Sequence, residues 1–366
     1  MILMNDFKAE PANLLQQELN VVERVLRSGW YILGNEVKQF ENAWATKIGA
    51  SHAIGVANGM DAIEIGLRSL GIGPGDEVIT TTMSAFATVL AIVRAGATPV
   101  LADIDPDTAL LSRESVETCI TQRTRAVLLV HLYGQVRDMD EWIKLCANHN
   151  IHLLEDCAQS HLAQSNGRVA GTFGEWGAYS FYPTKNLGAL GDAGALVTNR
   201  QDVAANARML LNYGQSKRYH HPVLGLNSRL DEIQAAILSV RLELLSQYTL
   251  RRQYIARTYF EQVHNPEIKM LAKPLEEGNH VYHLFVVLCD KRDKLAEHMR
   301  NHKVETLIHY PVPIHKQPPC VEMAITPQGM MHAEKYADLC LSLPCNPYIT
   351  DSQLNQIIGA LNAFSR

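Results

Sequence analysis

From residue 51 to about residue 199, short apolar runs bounded by turn residues alternate with segments whose apolar side chains recur every three or four positions. A largely parallel sheet covered by helices on both faces accommodates that alternation, because parallel strands need a crossover between them and are buried on both sides. The spacing predicts strands at 52–57, 77–81, 98–102, 126–132, 151–155, 177–181 and 194–198, with helices at 61–70, 87–95, 112–121 and 139–149. A further helix is expected to open at Ser228, capped by that hydroxyl with Asp231 in the capping-box position, and to carry Leu230, Ile233, Ile237, Val240 and Leu244 as one stripe. After residue 246 the pattern changes to a strand at 281–288 and helices at 291–302 and 351–364. The expectation is an α/β chain in two parts: a large domain over 1–245 and a smaller α+β domain over 246–366.

With 47% hydrophobic and 19% charged residues, 366 residues are enough for two cores at about 150 residues per domain. Lys and Arg number 33 against 38 Asp and Glu, a net charge of -5, which argues against holding nucleic acid or anionic lipid. Any phosphate must therefore be gripped locally. No stretch reaches the roughly 18 uninterrupted apolar residues of a membrane span, and the N-terminus meets Asp6 before any apolar signal core, so a cytoplasmic location is expected. The seven cysteines form no C-x-x-C pair and read as reduced thiols, and the fifteen histidines show no ligand spacing. No metal site is expected.

Three segments fall where the strands of such a sheet end, which is where open α/β sheets place ligands. Asn58-Gly59-Met60-Asp61 joins a strand to a helix, so helix N-terminal amides with Gly59 beside them could hold a phosphate; a plain turn glycine is the alternative. The apolar strand 151–155 ends in Glu155-Asp156, and a carboxylate there must be paired or serve as a helix cap. Gln159 stands on the same rim with an amide to offer. Lys185 lies between a strand and a loop punctuated by Gly188, Gly191 and Gly194, with no neighbouring charge in the sequence. A desolvated lysine has a lowered pKa and can form a Schiff base. Phosphate cup, carboxylate and amine together meet the needs of pyridoxal phosphate: an anchor for its phosphate, an anion to keep its pyridine nitrogen protonated, and an aldimine lysine. A nicotinamide cofactor would call for G-x-G-x-x-G after the first strand, which Asn58-Gly-Met-Asp-Ala-Ile lacks.

In order along the chain stand Ser28-Gly-Trp-Tyr-Ile-Leu-Gly34, Val56-Ala-Asn-Gly, Gly96-Ala-Thr-Pro-Val, Glu155-Asp-Cys-Ala-Gln, Ser180-Phe-Tyr-Pro-Thr-Lys and Leu341-Ser-Leu-Pro344. Through these the chain resembles the DegT/StrS family of pyridoxal-phosphate-dependent sugar aminotransferases, which have the fold type I architecture. The resemblance implies that Lys185 is the aldimine lysine and proton shuttle and that Asp156 pairs with the pyridine nitrogen. It places Gln159 beside the cofactor hydroxyl and Gly59, Met60 and Ser180 around the phosphate. Asn227 matches a family asparagine that reaches the cofactor phosphate of the neighbouring subunit, which implies a homodimer with shared active sites. The family's ring-stacking aromatic falls at Ala85 here, with Phe86 next to it, and either residue could cover the ring.

A branch of the family with histidine in place of the lysine dehydrates sugars; Lys185 favours transamination. Amino acid aminotransferases of this fold usually carry a late arginine as a carboxylate clamp, yet none lies between Arg300 and Arg366. Arg218, with its cationic and aromatic neighbours, and the run holding His309, Tyr310 and His315 suit a diphosphate and a sugar instead, as does Tyr182. The Ser84–Thr88 and 307–313 segments resemble members that aminate thymidine-diphosphate-linked 3-keto-6-deoxyhexoses. The expected activity is amino transfer from glutamate to such a sugar. The alternatives are C4 amination of a dTDP-, UDP- or GDP-linked 4-keto-6-deoxyhexose, or sugar dehydration.

Overall fold

A computed structural model describes residues 1–365; Arg366 lies outside the described residues. Two helices, α1 (Ala12–Ser28) and α2 (Asn35–Ile48), precede the sheet, each closed by a left-handed glycine, Gly29 and Gly49. The strands are β1 (His52–Val56), β2 (Glu77–Thr81), β3 (Thr98–Ala102), β4 (Thr124–Val130) and β5 (His152–Asp156). After a two-residue hairpin of β6 (Gln164–Ser165) and β7 (Arg168–Val169) come β8 (Gly177–Ser180) and β9 (Gly194–Thr198). The helices between them are α3 (Gly59–Ser69), α4 (Phe86–Arg94), α5 (Arg113–Cys119) and α6 (Met139–His149), with α7 (Gln201–Leu210) following.

The large sheet runs β1-β9-β8-β5-β4-β2-β3-β12, where β12 (Ala324–Ile325) is a short edge strand delivered late in the chain. Only β9 opposes its neighbours; the other pairings are parallel. Successive side chains of a strand point to opposite faces, and each face has its own core. Leu153 of β5 and Val127 of β4 join Trp44, Trp142 and Tyr179 on one side, whereas Leu154 and Leu128 join Trp176 and Ile65 on the other. Burying each leucine is worth about 1.5–3 kcal/mol. The same alternation separates Glu155 from Asp156, so these adjacent acids serve different faces.

The rest of the chain supplies α8 (Glu232–Leu242), α9 (Leu245–Gln262), α10 (Arg292–Asn301), α11 (Met331–Leu339) and α12 (Asp351–Ala363). It also forms a three-stranded antiparallel sheet of β10 (Lys269–Met270), β11 (Phe285–Leu288) and β13 (Cys340–Leu343). The cluster around that sheet takes in Ile2, which bridges to Val304. Thr350 and Gln353 form a capping box on α12. Two local expectations differ from what is found. Helix α8 begins after Asp231 rather than at Ser228, because the Ser228 hydroxyl accepts the Ala57 N–H at 3.2 Å instead of capping a helix. The strand expected at 281–288 is reduced to β11, since the polar groups of 281–283 are drawn to Gly134, Asn186 and Arg252.

Candidate active site

At the junction of β1, β9 and β8 the register aligns Val56, Gly194 and Ser180 across three strands. Helix α3 begins there. The Asn58 side chain accepts the Asp61 N–H at 2.8 Å and the Asn58 carbonyl takes that of Ala62, which leaves the Gly59 and Met60 amides without an intrahelical acceptor. A Cβ on Gly59 would stand 2.7 Å from the Ser180 Cβ, and one on Gly194 would stand 2.4 Å from the Asn58 carbonyl carbon. Glycine at both positions therefore lets backbone approach backbone and leaves a cradle of amides and one hydroxyl, a fit for a phosphate.

Asp156, at the end of β5, is buried. Its Oδ2 accepts the Thr88 hydroxyl at 2.8 Å and its Oδ1 the Ala158 N–H at 3.1 Å. Burial raises its pKa, while these two donors and the charge of Lys185 work in the opposite direction. A carboxylate so placed is costly until a cationic partner arrives, which is what a protonated pyridine nitrogen supplies.

Lys185 follows β8, and its backbone N–H is held by the Tyr182 carbonyl at 2.8 Å. Its Nζ makes no hydrogen bond and no ion pair within 4.0 Å among the described residues. Burial lowers its pKa from 10.5 to about 8, with Asp156 pulling the other way. Between these values the unfolded chain binds more protons than the folded one, so this group's penalty is complete below pH 8 and is relieved as pH rises to 10.5. In cofactor-free protein, Lys185→Met should therefore raise the melting temperature most below pH 8, and the gain should shrink toward pH 10.5. A gain that does not change with pH would mean that the amine is well solvated.

Three imidazoles that sequence reasoning did not place here as a group feel the charge of that amine: His161, His283 and His309. Burial pushes His161 down to about 3 and His309 to about 4, and the Lys185 charge adds to both. His283 is driven in the same direction for the same reasons. They are neutral, so the lysine competes with no fixed imidazolium. His283 Nδ1 meets the Asn186 side chain at 3.3 Å, and Asn186 also donates to the Val281 carbonyl, which anchors the loop carrying Lys185. Arg252 ties down the Tyr282, His283 and Cys345 carbonyls. Besides His309, which the sequence had already marked, His161 carried a usable signal, its place five residues beyond Asp156.

Gln159 Oε1 accepts the Tyr133 N–H at 2.6 Å and its Nε2 donates to the Tyr310 hydroxyl at 3.2 Å, which brings Tyr310 and the adjoining His309 to the Asp156 rim. His315 Nδ1 pairs with Thr82 at 2.7 Å and Nε2 with Glu334 at 3.0 Å, so both nitrogens are engaged beside the end of β2. Tyr182 is 52% exposed next to the lysine loop. Arg218 lies in an exposed hairpin against Tyr219, and Asn227 is exposed with its backbone bridged to Asn212. Phe86 is exposed and Ala85 half-buried at the start of α4. On the opposite face, His131, Glu155 and Cys157 bring their ligand atoms within 4.8 Å of one another. Glu155, however, already accepts from His131 and from the Gly171, Phe173 and Gly174 amides, and burial keeps the Cys157 thiol protonated.

A mostly parallel sheet ending in an amide cradle, a buried acid and a desolvated lysine fits a pyridoxal-phosphate-dependent enzyme of fold type I. The chain belongs to the DegT/DnrJ/EryC1/StrS aminotransferase family, whose profile matches residues 13–362. It is 42% identical over 350 residues to a dTDP-3-amino-3,6-dideoxy-alpha-D-galactopyranose transaminase of Aneurinibacillus thermoaerophilus, covering 96% of this chain and 95% of that one. It is 40% identical over 365 residues to a pleiotropic regulatory protein of Geobacillus stearothermophilus, covering 99% and 98% of the two chains. The crystal structure of DesV of S. venezuelae in complex with a ketimine intermediate superposes with a TM-score of 0.94 at 41% identity, covering 99% and 97%.

Proposed function

We propose that this chain moves the amino group of glutamate to the keto carbon of a nucleotide-diphosphate-linked 6-deoxy sugar, with a thymidine-diphosphate 3-keto-6-deoxyhexose as acceptor. Glutamate leaves as 2-oxoglutarate and the sugar ketone becomes an amine, so the exchange balances without an outside oxidant. The observation that carries the transfer chemistry is the Lys185 amine, free of any hydrogen bond or ion pair among the described residues and held near a pKa of about 8 across from Asp156. The acceptor is supported by the likeness to the A. thermoaerophilus transaminase, whose printed name carries a dTDP-3-amino sugar.

In this reading the Gly59 and Met60 amides and the Ser180 hydroxyl bind the cofactor phosphate, and Gln159 faces the cofactor hydroxyl. Bound there, pyridoxal phosphate supplies an aldehyde carbon and an electron-accepting ring. Asp156 holds the proton on the pyridine nitrogen, oriented by Thr88 and the Ala158 amide. Lys185 Nζ would hold the aldehyde and, freed when the donor's amine takes its place, would move a proton from the donor's α-carbon to the cofactor in one half-reaction and from the cofactor to the sugar carbon in the other. His309, Tyr310 and Tyr182 face the sugar and Arg218 serves the diphosphate side, while His315, both of whose nitrogens are taken by Thr82 and Glu334, holds the end of β2.

The homodimer belongs to the same proposal. Leu15, Leu19 and Leu26 lie exposed on α1, Trp30 to Leu33 follow them, and Leu224 near Asn227 is 91% exposed. Single exposed apolar residues are ordinary, but a run of this kind marks a contact surface. A second copy covering it would carry Asn227 toward a neighbouring phosphate cradle. We also place the division between the cofactor-binding part and the smaller part at 245/246, and the protein in the cytoplasm; among the described residues no helix is long and apolar enough to cross a membrane.

Incubation with glutamate and a panel of thymidine-, uridine- and guanosine-diphosphate keto sugars tests the proposal. Equimolar 2-oxoglutarate and an aminated C3, read by NMR, are expected. Deoxygenated sugar without 2-oxoglutarate would establish a dehydratase instead, and amination at C4 would move the acceptor assignment.

A further inference from the structure

We propose that Tyr133 is a positioning residue for the sugar acceptor: with Gln159 it clasps residues 309 and 310, so that the hydroxyl proton of Tyr310 is presented to the substrate. The inference rests on the nucleotide-sugar reading above and adds to it a residue that touches neither cofactor nor sugar.

Tyr133 follows β4, is almost wholly buried, and holds a left-handed backbone at φ 60°, a conformation that a bulky residue keeps only where its surroundings enforce it. Both of its polar ends are used. Its N–H donates to Gln159 Oε1 at 2.6 Å, and its hydroxyl donates to the His309 carbonyl, with the Tyr336 hydroxyl close by. A primary amide has one accepting end and one donating end. Once Oε1 faces the Tyr133 N–H, Nε2 must face the other way, and it meets the Tyr310 hydroxyl at 3.2 Å. That bond occupies a lone pair on the Tyr310 oxygen and leaves its proton without an acceptor among the described residues. Burial raises the Tyr310 pKa to about 12, so the proton stays in place at neutral pH.

The same segment is pinned from its other side by β13. Leu307 and Ser342 exchange backbone bonds at 3.3 and 2.7 Å, and the Ser342 hydroxyl meets His309 Nδ1 at 2.8 Å. Residues 307–310 are thus suspended between the small sheet and the Asp156 rim. Tyr133 supplies one rim-side tie directly and orients the other through the Gln159 amide. Without the Tyr133 hydroxyl, the β13 anchors alone would set the distance from Tyr310 to a sugar bound over the cofactor.

The test is a double-substitution cycle in the holoenzyme, with thymidine-diphosphate 3-keto-6-deoxyglucose and glutamate as substrates. Wild-type protein comes first: no turnover with any sugar of the panel would sink the acceptor reading itself. With turnover established, Tyr133→Phe should raise the KM for the keto sugar about tenfold, the weight of one hydrogen bond. The KM for glutamate and the visible spectrum of the bound cofactor should stay unchanged. Added to Tyr310→Phe, the same substitution should change the sugar KM less than about twofold, because its route is already cut. An equal rise in both KM values, or the full tenfold effect persisting beside Tyr310→Phe, would overturn the inference. Should Tyr133→Phe not fold, Tyr133→Met, which fills the site without a hydroxyl, enters the same cycle. Its effect on sugar KM must likewise vanish beside Tyr310→Phe, and persistence there is again the overturning result.

Discussion

Lys185→Ala is expected to lower turnover by at least about ten-thousandfold, since it removes both the nucleophile and the only proton carrier assigned to the reacting carbon. The visible absorbance that the cofactor acquires on attachment should disappear with it. The fold should survive, because the loop is held by the Lys185 backbone, by Asn186 on Val281 and by Ala189 on Phe181 rather than by the amine. Removing a desolvated amine with no ion pair also relieves a penalty, so melting of the cofactor-free variant at neutral pH should match or exceed that of wild type. Retention of as much as a hundredth of wild-type turnover would refute the assignment of Lys185.

Asp156→Asn comes second in size. The substitution preserves shape and leaves an oxygen for Thr88 or the Ala158 amide, but it removes the charge that holds a proton on the ring nitrogen. A preorganised electrostatic partner of this kind is worth about a hundredfold to a thousandfold in kcat. Burial already raises the pKa of Asp156, so the ionised carboxylate costs the empty fold free energy. Cofactor-free Asp156→Asn should therefore melt no lower than wild type while turning over far more slowly. Parallel losses of stability and activity would instead assign Asp156 a structural role. Sites that trade stability for function in this way are expected at catalytic centres.

How much of this was legible from residues alone depended on the kind of signal. Strands β2, β3 and β9 and helix α6 fall where their patterns place them, because a buried parallel strand must be a short apolar run and a covering helix must repeat at its own period. The helix at 228 was misjudged by one turn. Ser228 looks like a cap in one dimension, yet 171 residues upstream the Ala57 N–H needed an acceptor and took its hydroxyl. Strand β11 came out shorter than its apolar run because Arg252 and Asn186 claim the carbonyls of 281–283. Lys185, Asp156 and the Asn58-Gly59 turn could be picked out because each is chemically out of place at a strand end. Thr88, His283 and Tyr133 could not, since each is an ordinary residue until a neighbour distant in the chain is brought beside it.

The order of residues along the chain determined by itself which elements form, which face of each is apolar, and which three groups are rare enough to act on a phosphate, a ring nitrogen and an aldehyde. Only the tertiary structure decided how those groups are tuned. Dielectric burial, the direction of an amide and the partners that Glu155 and Asp156 meet on their opposite faces are properties of the space between elements. That space exists only after β1, β5, β8 and β9 have aligned their ends.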